Sequence, residues 1–386
     1  METKEIMEME KEYIMQTYSR SNIVIEHGKG CYVFDKNGKK YLDLVAGIAT
    51  CSIGHGNKEV AKSVCEQSKK LLNVTNLYYT EPQVILAKKL ASLSGLGKCF
   101  FCNSGAEANE SAIKLARKHT GKTDLIATKN AFHGRTLGAL SATWKEKFRK
   151  KFMPLVPGFS FVDYNNVKAV ENAITEKTAA VIVEPIQGES GIIIPDEDYL
   201  MKLKKLCEEK KILLILDEVQ TGTGRTGKFF AYLCYDIKPD IVTLAKGLAN
   251  GIPIGVMIAK EGIDFDKSDH ASTFGGNNLS CAAANAVIDF ISENKLMENA
   301  AKQGNYFMKK LNELKSKHNS IKEVRGKGLM IGVELNIEAK EIQNKCLEKG
   351  LLVNCASEKV LRFLPSLIIT KKEIDAAIKI LDGVLG

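Results

Sequence analysis

Three observations predict an α/β fold with a mostly parallel sheet in a large domain and a smaller α+β domain beside it. Between about residues 85 and 260, short segments that are apolar on both faces alternate with amphipathic helical stretches. Strands of that kind are buried on both sides, as in a parallel sheet covered by helices. The chain has 386 residues, 45% of them apolar, which is more than one core usually takes, so two domains are expected. After residue 280 the pattern changes to long helices interleaved with short strands.

Residues 1–20 read as a polar amphipathic helix. A short antiparallel pair follows at 23–25 and 31–34, and the turn Asp35-Lys36-Asn37-Gly38 leads into 41–44. Asn-Gly is the strongest local hairpin signal. The alternating region reads as helix 82–95, strand 98–102, helix 106–119, strand 124–129, helix 136–146, strand 179–184 and helix 197–209. Strands 212–217, 239–244 and 254–259 complete it. The remainder reads as helices 278–293 and 295–316, strand 328–334, helix 338–349, short strands near 351–354 and 360–363, and a terminal helix 371–383. We divide the chain into an N-terminal segment 1–48 that packs with the small domain, a large domain 49–277 and a small domain 278–386.

The net charge of +9, from 55 Lys and Arg against 46 Asp and Glu, is spread along the chain. That argues against nucleic-acid binding and leaves room for steering of anionic metabolites. Ten cysteines without framework spacing read as free thiols of a reducing compartment. Cys99 and Cys102 have CxxC spacing, but on a strand positions i and i+3 face opposite ways, so they read as core residues. The first residues lack the apolar segment of a signal peptide, and no apolar stretch approaches 18 residues. The expected location is the cytoplasm, with no membrane partner.

Chemistry concentrates at strand ends. Asp217 closes the apolar run 212–216, and Lys246 follows the run 241–244. An acid and an amine delivered by the same ends of neighbouring strands can grip a ring nitrogen and bond an aldehyde, which points to pyridoxal 5'-phosphate (PLP). A buried carboxylate needs a partner, and a pyridinium nitrogen is one. Asn103-Ser104-Gly105-Ala106 follows strand 98–102 and opens a helix, where free N–H groups and the positive helix end suit a phosphate; taken alone the stretch reads equally as an ordinary capped helix, and Asp217 and Lys246 favour the socket. In Phe132-His133-Gly134-Arg135-Thr136 the aromatic ring can stack on a flat cofactor and the arginine can clamp a carboxylate. His133 reads as support for that turn and, without companion ligands, not as a metal site. Gly222-Thr223-Gly224-Arg225-Thr226-Gly227 has the GxGxxG spacing of a dinucleotide site. It starts five residues after its strand and leads into no clear helix, so it reads as a flexible loop lining a site.

These stretches, with Glu184-Pro185-Ile186-Gln187-Gly188-Glu189-Ser190-Gly191, Asp217-Glu218-Val219-Gln220-Thr221-Gly222 and Leu244-Ala245-Lys246-Gly247, resemble the class III, fold-type I PLP-dependent aminotransferases from about residue 18 to the end. The resemblance implies a seven-stranded, mostly parallel sheet. It implies that Lys246 bonds the cofactor aldehyde and that Asp217 binds the pyridine nitrogen. Phe132 and Val219 flank the ring, Gln220 lies near its phenolic oxygen, and the Gly105 and Ala106 backbone cradles the phosphate. Thr273 reaches the phosphate of the other subunit, which makes the active form a homodimer. Arg135 clamps the distal carboxylate and Arg362 the carboxylate beside the reacting amine. Glu189 neutralises Arg362 and swings aside for glutamate or 2-oxoglutarate, and Tyr18 lines the pocket. The implied reaction moves the δ-amino group of N2-acetylornithine to 2-oxoglutarate, as in arginine biosynthesis. Ornithine, succinylornithine, 4-aminobutyrate and carrier-linked lysine are the alternative donors, and a non-catalytic PLP-binding protein is the alternative from another class. Gly54-His55-Gly56-Asn57-Lys58 departs from the Gly-His-Cys-His-Pro pattern of relatives, outside the catalytic groups.

Overall fold

A computed structural model describes all residues, Met1–Gly386. Strands β1 (Ile25–Lys29), β2 (Tyr32–Asp35) and β3 (Lys40–Asp43) form an antiparallel meander. The Asn37-Gly38 turn closes its hairpin, with Gly38 at φ 79° and Asp35 Oδ1 accepting from the Asn37 and Lys39 amides, each at 2.9 Å. β1 lies later than the expected 23–25. Its residues, Ile-Glu-His-Gly-Lys, are exposed or half-buried throughout, so an edge strand without alternating burial leaves little pattern to read. The N-terminal helix covers only Thr3–Tyr13 and buries none of its residues, so nothing supports its extension towards residue 20.

The central sheet holds β4 (Lys98–Cys102), β5 (Asp124–Thr128), β6 (Phe159–Val162), β7 (Thr178–Val183), β8 (Leu213–Asp217), β9 (Ile241–Leu244) and β10 (Gly255–Ala259). The order is β4-β10-β9-β8-β7-β5-β6. Only β10 runs against its neighbours; the other pairs are parallel. All residues of β7, β8, β9 and β10 are buried, which accounts for their unbroken apolar runs. Sequence reading missed β6, an edge strand whose Phe-Ser-Phe-Val is mostly half-exposed. It also missed the helix Lys58–Ser68, capped by the Asn57 side chain. The expected helix 136–146 is two short ones, Leu137–Ser141 and Glu146–Arg149. Between them the Thr143 hydroxyl bonds back to Ala139 O at 3.0 Å and accepts from the His133 amide at 3.0 Å. The helix is broken to hold the His133 turn.

Strands β11 (Ile321–Lys327), β12 (Met330–Leu335), β14 (Asn354–Ser357) and β15 (Val360–Phe363) form an antiparallel sheet. The short β13 (Leu351–Leu352) instead pairs in parallel with β3, Leu351 opposite Leu42, so the N-terminal meander and the C-terminal region share a sheet. One apolar core includes Leu42, Leu216, Leu244, Phe307 and Phe363. It runs from the meander through the central sheet to the C-terminal layer.

Candidate active site

Because β4, β5, β7, β8 and β9 all run in one direction, β4 through two antiparallel pairings across β10, their carboxyl ends lie together and the segments that follow them converge, as ligand sites in such sheets do. A cavity of about 410 Å³ opens there. Its walls include Ser104, Gly105, Ala106, Phe132, His133, Arg135, Glu189, Asp217, Val219, Gln220 and Lys246. β10 runs the other way, so its amino end supplies Gly251–Ile254 to the same cavity.

Asp217 pairs across β8 and β9 with Thr243, three residues before Lys246. Its Oδ2 accepts from His133 Nδ1 at 2.7 Å and from Asn109 Nδ2 at 2.8 Å, while Oδ1 accepts the Val219 amide at 3.0 Å. Only 4% of Asp217 is exposed, so these donors offset the cost of burying the carboxylate. Lys246 has φ 44°, a left-handed conformation that costs a residue with a side chain on the order of 1 kcal/mol and is found at sites that aim a side chain. Burial pushes its ammonium below the usual lysine range, with Arg362 acting the same way and Glu189 and Asp217 opposing. A less protonated lysine is the better nucleophile.

The Ser104 hydroxyl caps the helix Gly105–Thr120 by accepting from the Glu107 amide. The amides of Gly105 and Ala106, first in that helix, have no intrahelical carbonyl to reach and face the cavity with the positive helix end. A Cβ on Gly105 would lie 2.7 Å from Val219 Cγ1, so only glycine lets Val219 sit against the start of this helix.

The remaining charges form a paired cluster. Arg362 on β15 is 1% exposed, and its Nη1 donates to Glu189 Oε1 at 2.5 Å, with Gln220 Oε1 at 3.2 Å. Asn354 Oδ1 takes the other edge of the guanidinium at 2.6 and 3.1 Å. Burial would raise the Glu189 carboxyl, but Arg362 and Lys246 hold it at about 2. Lys145 Nζ donates to the Glu189 backbone oxygen at 2.8 Å. Arg135 is exposed at the mouth, its guanidinium 3.7 Å above the Phe148 ring.

Besides Lys145 and Asn354, Glu184 and Asn109 were not singled out in the sequence. Glu184 accepts from the Phe132 and Gly188 amides at 3.0 and 3.1 Å and so shapes both loops; burial pushes it up to about 7. Asn109, 1% exposed, sits one helical turn beyond Gly105, and a polar residue on a face otherwise made by Ala108, Ala112 and Leu115 was the available signal. Tyr18 is 73% exposed and outside the cavity, and Thr273 is also exposed, lining a separate cavity with Leu77 and Phe101. The segment 222–227 is a correction. Most of it is buried, none of it lines the cavity, and the Arg225 side chain donates to the carbonyls of Leu329 and Pro365. It locks the central sheet to the C-terminal layer.

The sequence model described as Aminotransferase class-III matches residues 13–385. A Methanocaldococcus jannaschii protein named acetylornithine aminotransferase is 50% identical over 386 residues, covering 98% of this chain and 97% of its own. One of the same name from Methanothermobacter thermautotrophicus is 48% identical, with both chains fully covered. Among solved structures, the ornithine aminotransferase of Toxoplasma gondii, described with partial occupancy of PLP at its active site, superimposes with TM-score 0.96 at 33% identity, over 100% of this chain and 94% of that one. The acetylornithine aminotransferase of Elizabethkingia anophelis gives 0.90 at 32%, over 100% and 99%.

Proposed function

The chain belongs to the class-III aminotransferases, and from that premise we propose that it moves the δ-amino group of N2-acetylornithine reversibly to 2-oxoglutarate, giving N-acetylglutamate 5-semialdehyde and glutamate. The family's cofactor is PLP, and the cavity fits it. The socket at Gly105 tolerates no Cβ, and Asp217 Oδ1 accepts only one protein donor, leaving a lone pair for a ring N–H. When bound, PLP supplies an aldehyde that carries the amino group and a ring that withdraws electrons.

The protein's own groups do the rest. Lys246 Nζ would hold the aldehyde, yield it to the donor amine and then, as a free amine at close range, move the proton from the donor's δ-carbon to the cofactor carbon that held the aldehyde. Asp217 keeps the ring nitrogen protonated. Phe132 and Val219 would confine the ring, Gln220 would serve its phenolic oxygen, and Ser104, Gly105 and Ala106 would hold the phosphate. His133 steadies Asp217 through the 2.7 Å bond. Arg135 holds the donor's distal carboxylate. The observation that carries the reading is the Arg362–Glu189 pair at 2.5 Å. An ω-amine donor has no carboxylate on its reacting carbon, so Arg362 needs a counter-charge, and Glu189 must leave it when 2-oxoglutarate brings one.

Fold alone does not separate donors, because chains named for ornithine and for acetylornithine both superimpose closely. The 48–50% identity to proteins named for acetylornithine favours that donor. The working unit is a homodimer in which Thr273 reaches the partner's cofactor phosphate; the exposed Phe274, Leu77 and Tyr79 around that face support an interface. Tyr18, exposed in the single chain, lines the pocket only in that assembly. We place the enzyme in the cytoplasm on its ten free thiols; no helix is long and apolar enough to cross a membrane. The division at 48 and 277 separates the cofactor-binding sheet from the layers that carry Arg362.

A donor panel with 2-oxoglutarate, scored by kcat/KM, tests the assignment. Acetylornithine should exceed ornithine, succinylornithine, 4-aminobutyrate and carrier-linked lysine. Preference for any other donor rejects the substrate, and bound cofactor that no amine bleaches rejects the enzyme.

A further inference from the structure

We propose that Asn109 is a positioning residue, whose side-chain amide selects the oxygen that Asp217 presents to the cofactor and ties that carboxylate to the phosphate-binding helix. The inference rests on the assignment of Asp217 to the ring nitrogen. Asn109 Nδ2 donates to Asp217 Oδ2 at 2.8 Å and to His133 O at 2.7 Å, and its Oδ1 accepts the Thr243 hydroxyl at 2.8 Å. Both amide hydrogens are used, and the orientation is fixed by chemistry. A flipped amide would set its oxygen against a carboxylate and a carbonyl.

The consequence falls on Asp217. With His133 also on Oδ2 at 2.7 Å, that oxygen has two donors and is saturated. Oδ1 has the Val219 amide alone, so Oδ1 is the oxygen free to accept a ring N–H. Remove Asn109 and the two oxygens have one donor each, the preference between them disappears, and the carboxylate is freer to turn. Four parts of the site meet at this one side chain. They are the helix that opens with Gly105, the Asp217 strand, the β9 strand that leads to Lys246, and the His133 turn that follows Phe132.

Asn109→Leu keeps the size and removes the hydrogen bonds; Thr243→Val removes only the hydroxyl that orients the amide. The readouts are the affinity of the apoenzyme for PLP by absorbance titration, the pH at which the visible band of the Lys246-bound cofactor changes, and the thermal midpoint of the apoenzyme. Loss of a hydrogen bond to a charged group should weaken PLP binding about ten- to hundred-fold in Asn109→Leu. The band's pH midpoint should move in the same variant, and Thr243→Val should show a smaller change of the same kind. PLP affinity within about two-fold of the parent and an unmoved band in both variants would overturn the proposal, whatever the apoenzyme midpoint does. If Asn109→Leu does not fold, Thr243→Val decides alone on the same two readouts. None of these depends on which donor is used. Loss of the band in the parent protein, by contrast, would overturn the PLP assignment itself.

Discussion

At the scale of single residues, the site is a set of charges that would each be costly alone. Lys246 is held in a left-handed backbone conformation under the influence of one cation, Arg362, and the carboxylates of Glu189, Asp217 and Glu184, and the role proposed for it requires a primary amine at that position. Lys246→Ala should abolish both the visible band of the bound cofactor and turnover; retained transamination would sink the assignment. Asp217→Ala should keep some cofactor, since the phosphate socket is untouched, yet lose most activity, and unchanged kcat would remove it from the ring nitrogen. Glu189→Gln tests the gate. It leaves Arg362 charged without a counter-ion, so the half-reaction with acetylornithine should slow about ten-fold or more, while the glutamate half-reaction, which needs Glu189 out of the way, should change far less. Equal effects on both half-reactions would reject the gate. Asp217 and Lys246 were legible because an acid and an amine at the ends of apolar strands break the pattern, whereas Glu189 and Arg362 were reached only through the family resemblance and Glu184 was missed. Asn109 was not, because one asparagine on a helix face is ordinary until its three partners are seen.

At the scale of elements, what could be read was whatever tertiary packing repeats along the chain. The strands buried on both faces and the long helices fall close to expectation, whereas β1 and β6 sit at sheet edges where exposure erases the pattern. The helix expected over 136–146 breaks because Thr143 serves the His133 turn, a demand made by residues ten positions away. The segment 222–227 shows the converse, a ligand-binding spacing used to bury an arginine against two carbonyls. Local spacing carries chemistry only when the element before it ends in the right place. At the start of the helix Gly105–Thr120 it does, and Gly105→Ala tests it. The added methyl would lie 2.7 Å from Val219 Cγ1, so valine or helix must move by several tenths of an ångström. The apoenzyme should remain folded and PLP affinity should fall about ten-fold or more, as in other cases of overpacking that cost one to three kcal/mol. Unchanged affinity, read by absorbance titration, would mean that the socket lies elsewhere.

For the whole molecule, placing acids in the interior makes stability depend on pH in two opposite directions. Glu184 and Glu218 are each pushed from 4.5 to about 7, first by burial. Glu218 lies apart from the cavity and accepts the Thr221 hydroxyl at 2.7 Å and the Ala231 and Tyr232 amides at 2.9 Å each. A carboxyl whose folded pKa lies above its unfolded value keeps its proton longer in the native state. Its contribution is therefore fully present below pH 4.5 and is lost as pH rises towards about 7. Glu189 has the opposite sign. Its folded value of about 2 lies below 4.5, so its contribution is present above pH 4.5 and is lost as pH falls towards 2. The thermal midpoint of the apoenzyme should thus decline between pH 4.5 and 7 through Glu184 and Glu218, and decline below pH 4.5 through Glu189. Glu218→Gln should flatten the first slope and leave the PLP band intact, whereas Glu184→Gln should flatten it and also disturb the loops that hold Phe132 and Gly188. Glu189→Gln should flatten only the acid limb. Midpoints measured from pH 3 to 8 separate the three, and a Glu218→Gln slope equal to the parent's would show that burial of this acid is fully compensated by its three hydrogen bonds.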